Sequence, residues 1–497
     1  MMRKSVNLFA AIAMVLTPVC AHAAGVSEQQ LRAHIEILAS DEFAGRDPGT
    51  EGEAKTIEYI AADWAKAGLK PAAADGSWFE PVPLVRRSLG SSQLSFTQKG
   101  RKLKFADNEI VMIGRDQNYS KQRLSVMFAG HGVNADGKPV GDVSGKLVFM
   151  LLAEADFLSE EMKSAAARRD VLIDAGAEAV VLIADNEPGS WNSIRRRSAL
   201  PRLELVSRDS RAAVQGAASA EYIVGLATAA NRDWDKLMRN ANKADFPGVD
   251  FEITADLEVS TRVERFNSHN VIGKIAGRKK GNGAVLYMGH WDHLGICRPE
   301  SAEDRICNGA VDNASGLAVL SEVAKALRKK KHDRDIYFLA TTAEESGLLG
   351  AYAYSEKPVF PLEDIVIALN VDTIAVAPRG AKVAIIGRGT TSLDPMIEKI
   401  AEKLGRKIER SDDANAFIRR QDGWALAQKG VPAVMVGGAF ADIDLLQRFL
   451  EGDYHGPEDE LTASTPLGGA AQDADLHIEL GKFFANARKY RRDKTGS

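Results

Sequence analysis

Residues 284–295 read AVLYMGHWDHLG, and this stretch decides the fold class that we expect for the chain. The apolar run 284–288 predicts a buried strand, and Gly289 ends that run directly before a His-x-Asp pair, His290 and Asp292. In open α/β sheets, ligands bind in the crevice outside the carboxyl ends of the strands. His290 is therefore expected at a strand tip that is well placed for chemistry.

From residue 270 onward, the chain alternates short apolar runs with helical patterns. This alternation predicts an α/β fold with a mostly parallel (mixed) sheet flanked by helices. The expected strands are 271–275, 285–288, 336–340, 365–371, 383–386 and 433–436. The expected helices are 27–39 and 53–67 near the amino terminus, then 315–329, 347–355, 394–404, 423–429 and 475–489.

Residues 81–264 show a different pattern, in which short β-prone runs are separated by glycine-rich turns. We expect an inserted α+β unit here, and the main domain would then consist of residues 24–80 and 265–497. Within the unit, His131 stands alone and is expected to be structural rather than a metal ligand. The expected strands are 124–128, 146–152 and 179–183, with one helix at 160–175.

The 497-residue chain carries a net charge of −4, with 45% apolar and 27% charged residues. This balance is ordinary for a globular protein and gives no reason to expect nucleic acid as a partner. Arg3 and Lys4 precede an apolar run, and Ala21-His22-Ala23 fits a signal-peptidase site. Residues 1–23 are expected to be a cleaved signal peptide of a periplasmic or secreted protein without stable membrane insertion. Cys20 leaves a lipoprotein as the alternative, and soluble export is favoured.

After removal of the signal peptide, two cysteines remain, Cys297 and Cys307, on either side of a polar loop. In an oxidising compartment such a pair predicts a disulfide. The alternative is a soft metal site, which two isolated thiols would serve poorly.

Acidic and imidazole residues follow several of the expected strands or precede expected helices. They are His290, Asp312, Glu344, Glu345, Asp372 and His455. Each of them taken singly also fits a structural role, such as a helix start or a turn. Together on one rim, the carboxylates would repel one another unless cations neutralised them. A set of His, Asp and Glu without Cys suits zinc, with cobalt or manganese as alternatives.

The neighbours of these candidate ligands predict further roles. Glu344 and Glu345 are adjacent, so that one can bind metal while the other faces the nucleophilic water as general base. Asp292 can accept the second ring N–H of His290 and thereby fix the tautomer of the imidazole. His293 has no predicted chemistry.

Five ordered motifs resemble those of the two-zinc aminopeptidases of metallopeptidase family 28. They are GHWDH at 289–293, VDNASG at 311–316, AEESGLLG at 343–350, NVD at 370–372 and DYHGP at 453–457. An amino-terminal segment is similar to that of secreted members, namely LASD at 38–41 with Gly45-Arg46 and Gly49-Thr50. The inserted unit resembles the protease-associated domain that many members carry. The resemblance implies a fold of the zinc-exopeptidase type.

Carried over to this chain, the resemblance implies two zinc ions that Asp312 bridges. His290 and Asp372 would complete one site, and Glu345 and His455 would complete the other.

The same resemblance makes Glu344 the general base and implies a cis peptide bond between Asp312 and Asn313. Tyr454 would either donate a hydrogen bond to the oxyanion or pack as a loop aromatic. Family members often have Arg-Ser-Asp-His where this chain has Gln421 and Gly423 in the second and fourth positions. This difference concerns the expected substrate pocket, because a side chain that could line it is absent at Gly423. It does not concern metal binding, because none of these residues is an expected ligand.

The expected activity is metal-assisted hydrolysis of peptides with a free amino terminus. A single-zinc cyclase and a carboxypeptidase or dipeptidase on the same fold remain open as alternatives. A receptor-like protein without catalysis is disfavoured, because every expected ligand and the base are present in the sequence. A serine hydrolase is disfavoured because no Gly-x-Ser-x-Gly elbow with a suitable partner is evident.

Overall fold

The computed structural model describes residues 25–185, 189–209, 212–279 and 281–491. The expected signal peptide, residues 1–23, lies outside these residues. Within the described part of the chain, no helix is both long enough and apolar enough to cross a membrane.

The helices and strands of the described residues are as follows. The helices are α1 (Glu28–Leu38), α2 (Glu51–Ala67), α3 (Ala165–Asp174), α4 (Ser190–Ser198), α5 (Ala220–Ala229), α6 (Trp234–Ala241), α7 (Gly316–Arg328), α8 (Leu349–Glu356), α9 (Asp394–Lys403), α10 (Gly423–Ala427), α11 (Ile443–Glu451) and α12 (Leu467–Phe484). The strands are β1 (Lys70–Pro71), β2 (Phe79–Gln98), β3 (Arg101–Leu103), β4 (Ile110–Gly114), β5 (Asn118–Phe128), β6 (Leu147–Leu151), β7 (Ala179–Ile183), β8 (Arg202–Leu205), β9 (Val214–Ala218), β10 (Val249–Ile275), β11 (Ala284–His290), β12 (Gly295–Ile296), β13 (Ile306–Cys307), β14 (Asp335–Thr341), β15 (Ile365–Asn370), β16 (Ala384–Ile386) and β17 (Ala433–Gly437).

The sheet of the main domain follows the order β16-β17-β15-β11-β14-β10. β11 pairs in parallel with β14 on one side and β15 on the other, and β15 pairs in parallel with β17. The outer strands β16 and β10 are antiparallel to their neighbours. This arrangement confirms the predicted mostly parallel, mixed sheet, with β11 at its centre.

Helices cover both faces of this sheet. Val285 and Tyr287 of β11 belong to the larger core, which includes apolar residues of α1, α2, α7 and α12. Leu286 and Met288 point to the other face and belong to a second core with α8 and α10. Because β11 is buried on both faces, its sequence is a continuous apolar run without alternation.

The inserted unit is joined to the main domain by two long strands. β2 and β10 pair antiparallel from Phe79 opposite Val271 to Thr97 opposite Thr254. The predicted domain boundaries, at 80/81 and 264/265, fall inside these two continuous strands. Beyond them, the sheet continues in the order β10-β5-β6-β7-β9-β4, which includes the three predicted strands of the unit. The unit has hydrophobic cores of its own.

His131 of the inserted unit is buried, and both of its ring nitrogens have partners. Nδ1 lies 3.0 Å from the carbonyl oxygen of Ala153, and Nε2 lies 2.9 Å from Oδ1 of Asn242. These contacts agree with the structural role that we expected.

Some helix boundaries differ from the predictions. α12 begins at Leu467 rather than at residue 475. Its first turn contains Gly468 and Gly469, which are not typical of a helix, so the sequence did not predict this start. A side chain on Gly469 would collide with the carbonyl oxygen of Ala377. α3 begins at Ala165 rather than at residue 160, because Ser164 caps it. Helices α4, α5, α6 and α11 were not predicted.

Two predicted covalent features are present beside β11. Cys297 and Cys307 form a disulfide that closes the short hairpin of β12 and β13. The peptide bond between Asp312 and Asn313 is cis. Both predictions are confirmed.

Candidate metal centre and active site

The carboxyl ends of the parallel strands meet at one edge of the sheet, and the predicted ligands and base share this rim. In chain order these residues are His290 at the end of β11, Asp312 in the irregular turn before α7, Glu344 and Glu345 after β14, Asp372 after β15, and His455 between α11 and α12. Side-chain oxygens and nitrogens from these elements converge into two groups that have Asp312 in common.

The inner group consists of His290, Asp312 and Asp372, and all three side chains are buried. Nε2 of His290 lies 3.2 Å from Oδ1 of Asp312 and 3.4 Å from Oδ1 of Asp372. Burial opposes ionisation of Asp312, but the facing His290 and His455 hold the pKa of its carboxyl well below the usual range. Asp312 is thus an anionic carboxylate between two imidazoles.

The outer group adds His455 and Glu345 to the second oxygen of Asp312. Nε2 of His455 lies 2.8 Å from Oε2 of Glu345 and 3.4 Å from Oδ2 of Asp312. Although it is this close, Nε2 is buried without a hydrogen-bond partner among the described residues, because it is not aligned for such a bond. A ring nitrogen that faces two carboxylate oxygens in this way fits a shared cation, and the nitrogen and oxygen donors suit zinc.

His293 also lies at the outer group, and with Asp312 and Glu345 it forms a set of side chains that could hold a metal ion. Its Nδ1 is 2.6 Å from Oε1 of Glu345 and 4.0 Å from Oδ2 of Asp312. The short contact is a hydrogen bond that orients Glu345, so His293 acts on the carboxylate whose other oxygen faces His455. The sequence offered no signal for this role except proximity to His290.

Asp292 is placed differently from our expectation. Nδ1 of His290 hydrogen-bonds the backbone carbonyl of Asp292 at 3.1 Å, whereas the Asp292 carboxylate is 3.8 Å from that nitrogen. The carboxylate instead accepts the backbone N–H groups of Glu344, at 3.0 Å, and Glu345, at 3.4 Å. Burial raises the pKa of Asp292 to about 8. Asp292 therefore positions the two glutamates, and its backbone rather than its side chain faces the imidazole.

Asp459 holds the turn that carries Asp312. Its two carboxylate oxygens accept the backbone N–H groups of Val311, at 2.8 Å, and Asp312, at 3.0 Å. Burial raises the pKa of Asp459 to about 6. Asp459 is not among the predicted site residues, and the one available signal was its position four residues after His455.

Glu344 lines a cleft beside the inner group. Burial raises the pKa of Glu344, and the neighbouring carboxylates of Glu345 and Asp422 raise it further. A carboxylate with a raised pKa can take a proton from water and release it again. The apolar lining of the cleft consists of Phe417, Met435, Phe440, Leu446 and Leu450.

Tyr454 and Arg420 also line this cleft. The Tyr454 ring stacks on His455 with ring centroids 3.7 Å apart, and its hydroxyl lies 3.5 Å from Nη2 of Arg420. Burial raises the pKa of Tyr454, so the phenol keeps its proton and remains a hydrogen-bond donor.

The segment in which the chain departs from the family motif is buried. Oε1 of Gln421 accepts the backbone N–H of Gly423 at 2.8 Å, so this side chain folds back on its own turn. Asp422 accepts a hydrogen bond from Thr341 at 2.5 Å, and burial raises its pKa to about 6. Gly423, where the family motif has a larger side chain, is not among the described residues that line the cleft.

The imidazole and carboxylate side chains at the carboxyl ends of these strands could hold a metal ion in the crevice of the sheet. Residues 270–476 match the model of Peptidase family M28. The match covers less than half of the chain, and over these residues the chain is similar to that family.

Individual relatives match parts of the chain. A probable leucine aminopeptidase 2 of Aspergillus fumigatus is 28% identical over 234 residues, which cover 46% of this chain and 42% of the relative. Aminopeptidase YwaD of Bacillus subtilis is 27% identical over 195 residues, which cover 35% of this chain and 40% of the relative. The chain thus spans less than half the length of these two relatives.

Among solved structures, an aminopeptidase from Aneurinibacillus sp. strain AM-1 has a similar fold, with a TM-score of 0.54 and 19% identity. The superposition covers 91% of this chain and 93% of that structure. The likeness therefore extends through the inserted unit.

Proposed function

We propose that the protein is a zinc-dependent exopeptidase, and specifically an aminopeptidase. The observation that carries this proposal is that Asp312 lies between two imidazole–carboxylate groups at the edge of a cleft that Glu344 lines. The relatives that are named as aminopeptidases support the same direction of cleavage.

We assign two zinc ions to the site, with Asp312 as the shared ligand. His290 and Asp372 would hold one ion, and Glu345 and His455 the other. When bound, zinc supplies Lewis acidity that activates water and polarises a carbonyl group. His293 keeps its hydrogen bond to Glu345 and is not counted among the ligands.

Glu344 acts as the general base in this proposal. It takes a proton from the attacking water and passes it to the departing amine, which its raised pKa allows. The hydroxyl of Tyr454 donates a hydrogen bond to the oxyanion that develops on the substrate. The apolar wall of the cleft receives the side chain of the residue to be removed.

The charges around the cleft favour a free amino terminus. Asp312 and Asp372 are assigned to zinc, which neutralises their charge, so Glu344 is the carboxyl group of the lining that remains to attract a cationic α-amine and to repel a substrate carboxylate. Arg420 is the basic side chain in the lining, and it favours the alternative, a carboxypeptidase or dipeptidase that binds the substrate carboxylate there.

Three versions of one tetrapeptide separate these activities. Zinc-loaded protein should release the first residue of the free peptide and of its carboxyl-terminal amide, and should leave the amino-acetylated peptide intact. Mass spectrometry of the products identifies the bond that is cut. Cleavage of the acetylated peptide with none of the amide would replace the aminopeptidase by a carboxypeptidase. No cleavage by protein that holds two zinc ions would favour a receptor-like role.

We also propose that the protein works in the periplasm or outside the cell, with residues 1–23 removed on export. The disulfide between Cys297 and Cys307 supports an oxidising compartment, since such bonds are rare in the cytosol. The intact mass of the exported protein should correspond to a chain that begins at Ala24 and lacks free thiols. We infer further that the inserted unit is a protease-associated domain, as the sequence predicts.

A further inference from the structure

Arg46 lies in the segment between α1 and α2, outside the residues that match the family model. It is fully buried. The backbone reaches this position through three successive residues with positive φ, namely Ala44 at 46°, Gly45 at 65° and Arg46 at 56°. This conformation is unfavourable for residues with a side chain, and a side chain on Gly45 would collide with the carbonyl oxygen of Cys307. The segment is thus held in an unfavourable form that points Arg46 inward.

The guanidinium of Arg46 donates hydrogen bonds to four backbone carbonyl groups. Nε donates to Trp291 at 2.8 Å, Nη1 to Leu38 at 2.7 Å and Asn308 at 2.6 Å, and Nη2 to Gly309 at 2.9 Å. Trp291 directly follows His290, and Asn308 and Gly309 directly precede the turn that carries Asp312. The planar guanidinium of Arg46 therefore connects the segment that carries His290 with the segment that carries Asp312.

Arg46 also places a positive charge near the candidate ligands. Burial lowers the pKa of Arg46 to about 10, against the opposing effects of Asp459, Asp312 and Asp292, so the side chain stays charged at neutral pH. A buried cation at this position reduces the repulsion between carboxylates before any metal binds.

We propose that Arg46 is a positioning residue of the metal centre: it fixes the segments 291–293 and 308–312 relative to each other before zinc binds. The proposal rests on the zinc site proposed above. It makes the amino-terminal segment a part of the metal centre although none of its side chains is assigned as a ligand.

A matched pair of variants tests the proposal. Arg334 is also buried and donates to three backbone carbonyls, those of Asn282 at 2.7 Å, Phe484 at 2.7 Å and Tyr490 at 2.8 Å. It precedes β14 and so lies at the opposite end of the sheet from the rim. Arg46→Lys and Arg334→Lys each keep the charge and lose the planar fork, and both should lower the melting temperature of the metal-free protein.

Only Arg46→Lys should alter metal binding. Its zinc affinity, measured by competition with a chromophoric chelator, should fall by about 10- to 100-fold. The visible spectrum of its cobalt-loaded form should differ from that of the wild type, because the geometry of the ligands changes. Arg334→Lys should keep both properties. Unchanged affinity and spectrum in Arg46→Lys, or equal losses in the two variants, would overturn the proposal. A wild-type protein without zinc affinity would overturn the proposed function as well.

A measurement on the wild type covers the case in which Arg46→Lys does not fold. In metal-free protein, the amides of Ala310, Val311 and Asp312 should resist hydrogen–deuterium exchange, because Asp459 accepts all three and Arg46 holds the adjoining carbonyl of Gly309. Zinc should then add little protection. Rapid exchange of these amides until zinc is added would show that the metal, and not Arg46, orders this turn.

Discussion

The two groups that share Asp312 are held in different ways. His290 ends the central strand of the sheet, and its side chain is 1% exposed, whereas His455 lies in a loop and its side chain is 37% exposed. Asn313 connects the backbone segments of the inner group, since its Nδ2 donates hydrogen bonds to the backbone carbonyls of His290 and Val371, both at 3.2 Å. The outer group depends on contacts between loops. We therefore expect the inner group to keep its metal more firmly and the outer group to exchange it more readily.

Removal of Asp312 should affect both groups and have the largest effect. Asp312→Ala deletes an oxygen from each group, and the activity should fall to background while the zinc content drops from two ions to one or none. Metal analysis after dialysis, together with peptide hydrolysis, measures both effects. As a control, Asp209→Ala removes a carboxylate of the inserted unit and should leave both properties unchanged. Two retained zinc ions in Asp312→Ala would show that Asp312 is not shared.

The neighbouring glutamates should respond differently to substitution, because Glu344 is assigned to proton transfer and Glu345 to the outer group. Glu344→Gln should lower kcat by about 10²–10⁴-fold, the usual contribution of a general base, and should keep both zinc ions. Glu345→Gln should lose the outer zinc. Full activity of Glu344→Gln with two zinc ions bound would remove Glu344 from its proposed role.

Protons should compete with zinc for the outer group. Burial favours neutral His455, but the charges of Asp312 and Glu345 prevail and raise its pKa to about 10. Below this pH the metal-free ring is protonated, so zinc must displace a proton and its affinity should rise with pH by about tenfold per unit. Chelator competition at pH 6, 7 and 8 measures the slope, which should be smaller by one proton in His455→Ala. Equal slopes in the two proteins would contradict the assignment of His455.

The position of most candidate ligands at one edge of the sheet could be predicted from local signals, whereas their division into two groups follows from the family resemblance and stays a prediction. His290 and Asp372 follow apolar runs, and Asp312 precedes a helical pattern, so these three side chains could be placed at the edge of the sheet. His455 lies in a loop and has no such signal. The cores on both faces of β11 follow from the same runs.

The residues that hold the ligands could not be predicted in this way. Arg46 reaches the carbonyl of Trp291, which is 245 residues away in the chain. The role of Asp292 depends on which of its oxygens lies nearest to His290, and this depends on packing rather than on sequence spacing. The long strand β10 had a usable signal, because buried and exposed residues alternate from Phe251 to Thr261. Because residues 81–264 were interpreted as short β-prone runs, this long strand was not predicted.

The smallest effect that we expect concerns His293, which we assign to the outer group through its hydrogen bond to Glu345. His293→Leu removes the 2.6 Å hydrogen bond to Oε1 of Glu345, and Glu345 should then sample other rotamers. The affinity for the second zinc ion should fall by about tenfold, with the first ion unaffected. His293→Asn places an N–H donor near the position of Nδ1 and should restore part of the loss, which a change in packing alone would not explain. Zinc titration of the three proteins distinguishes these outcomes. A weaker first ion in His293→Leu would mean that the inner and outer groups are not held independently.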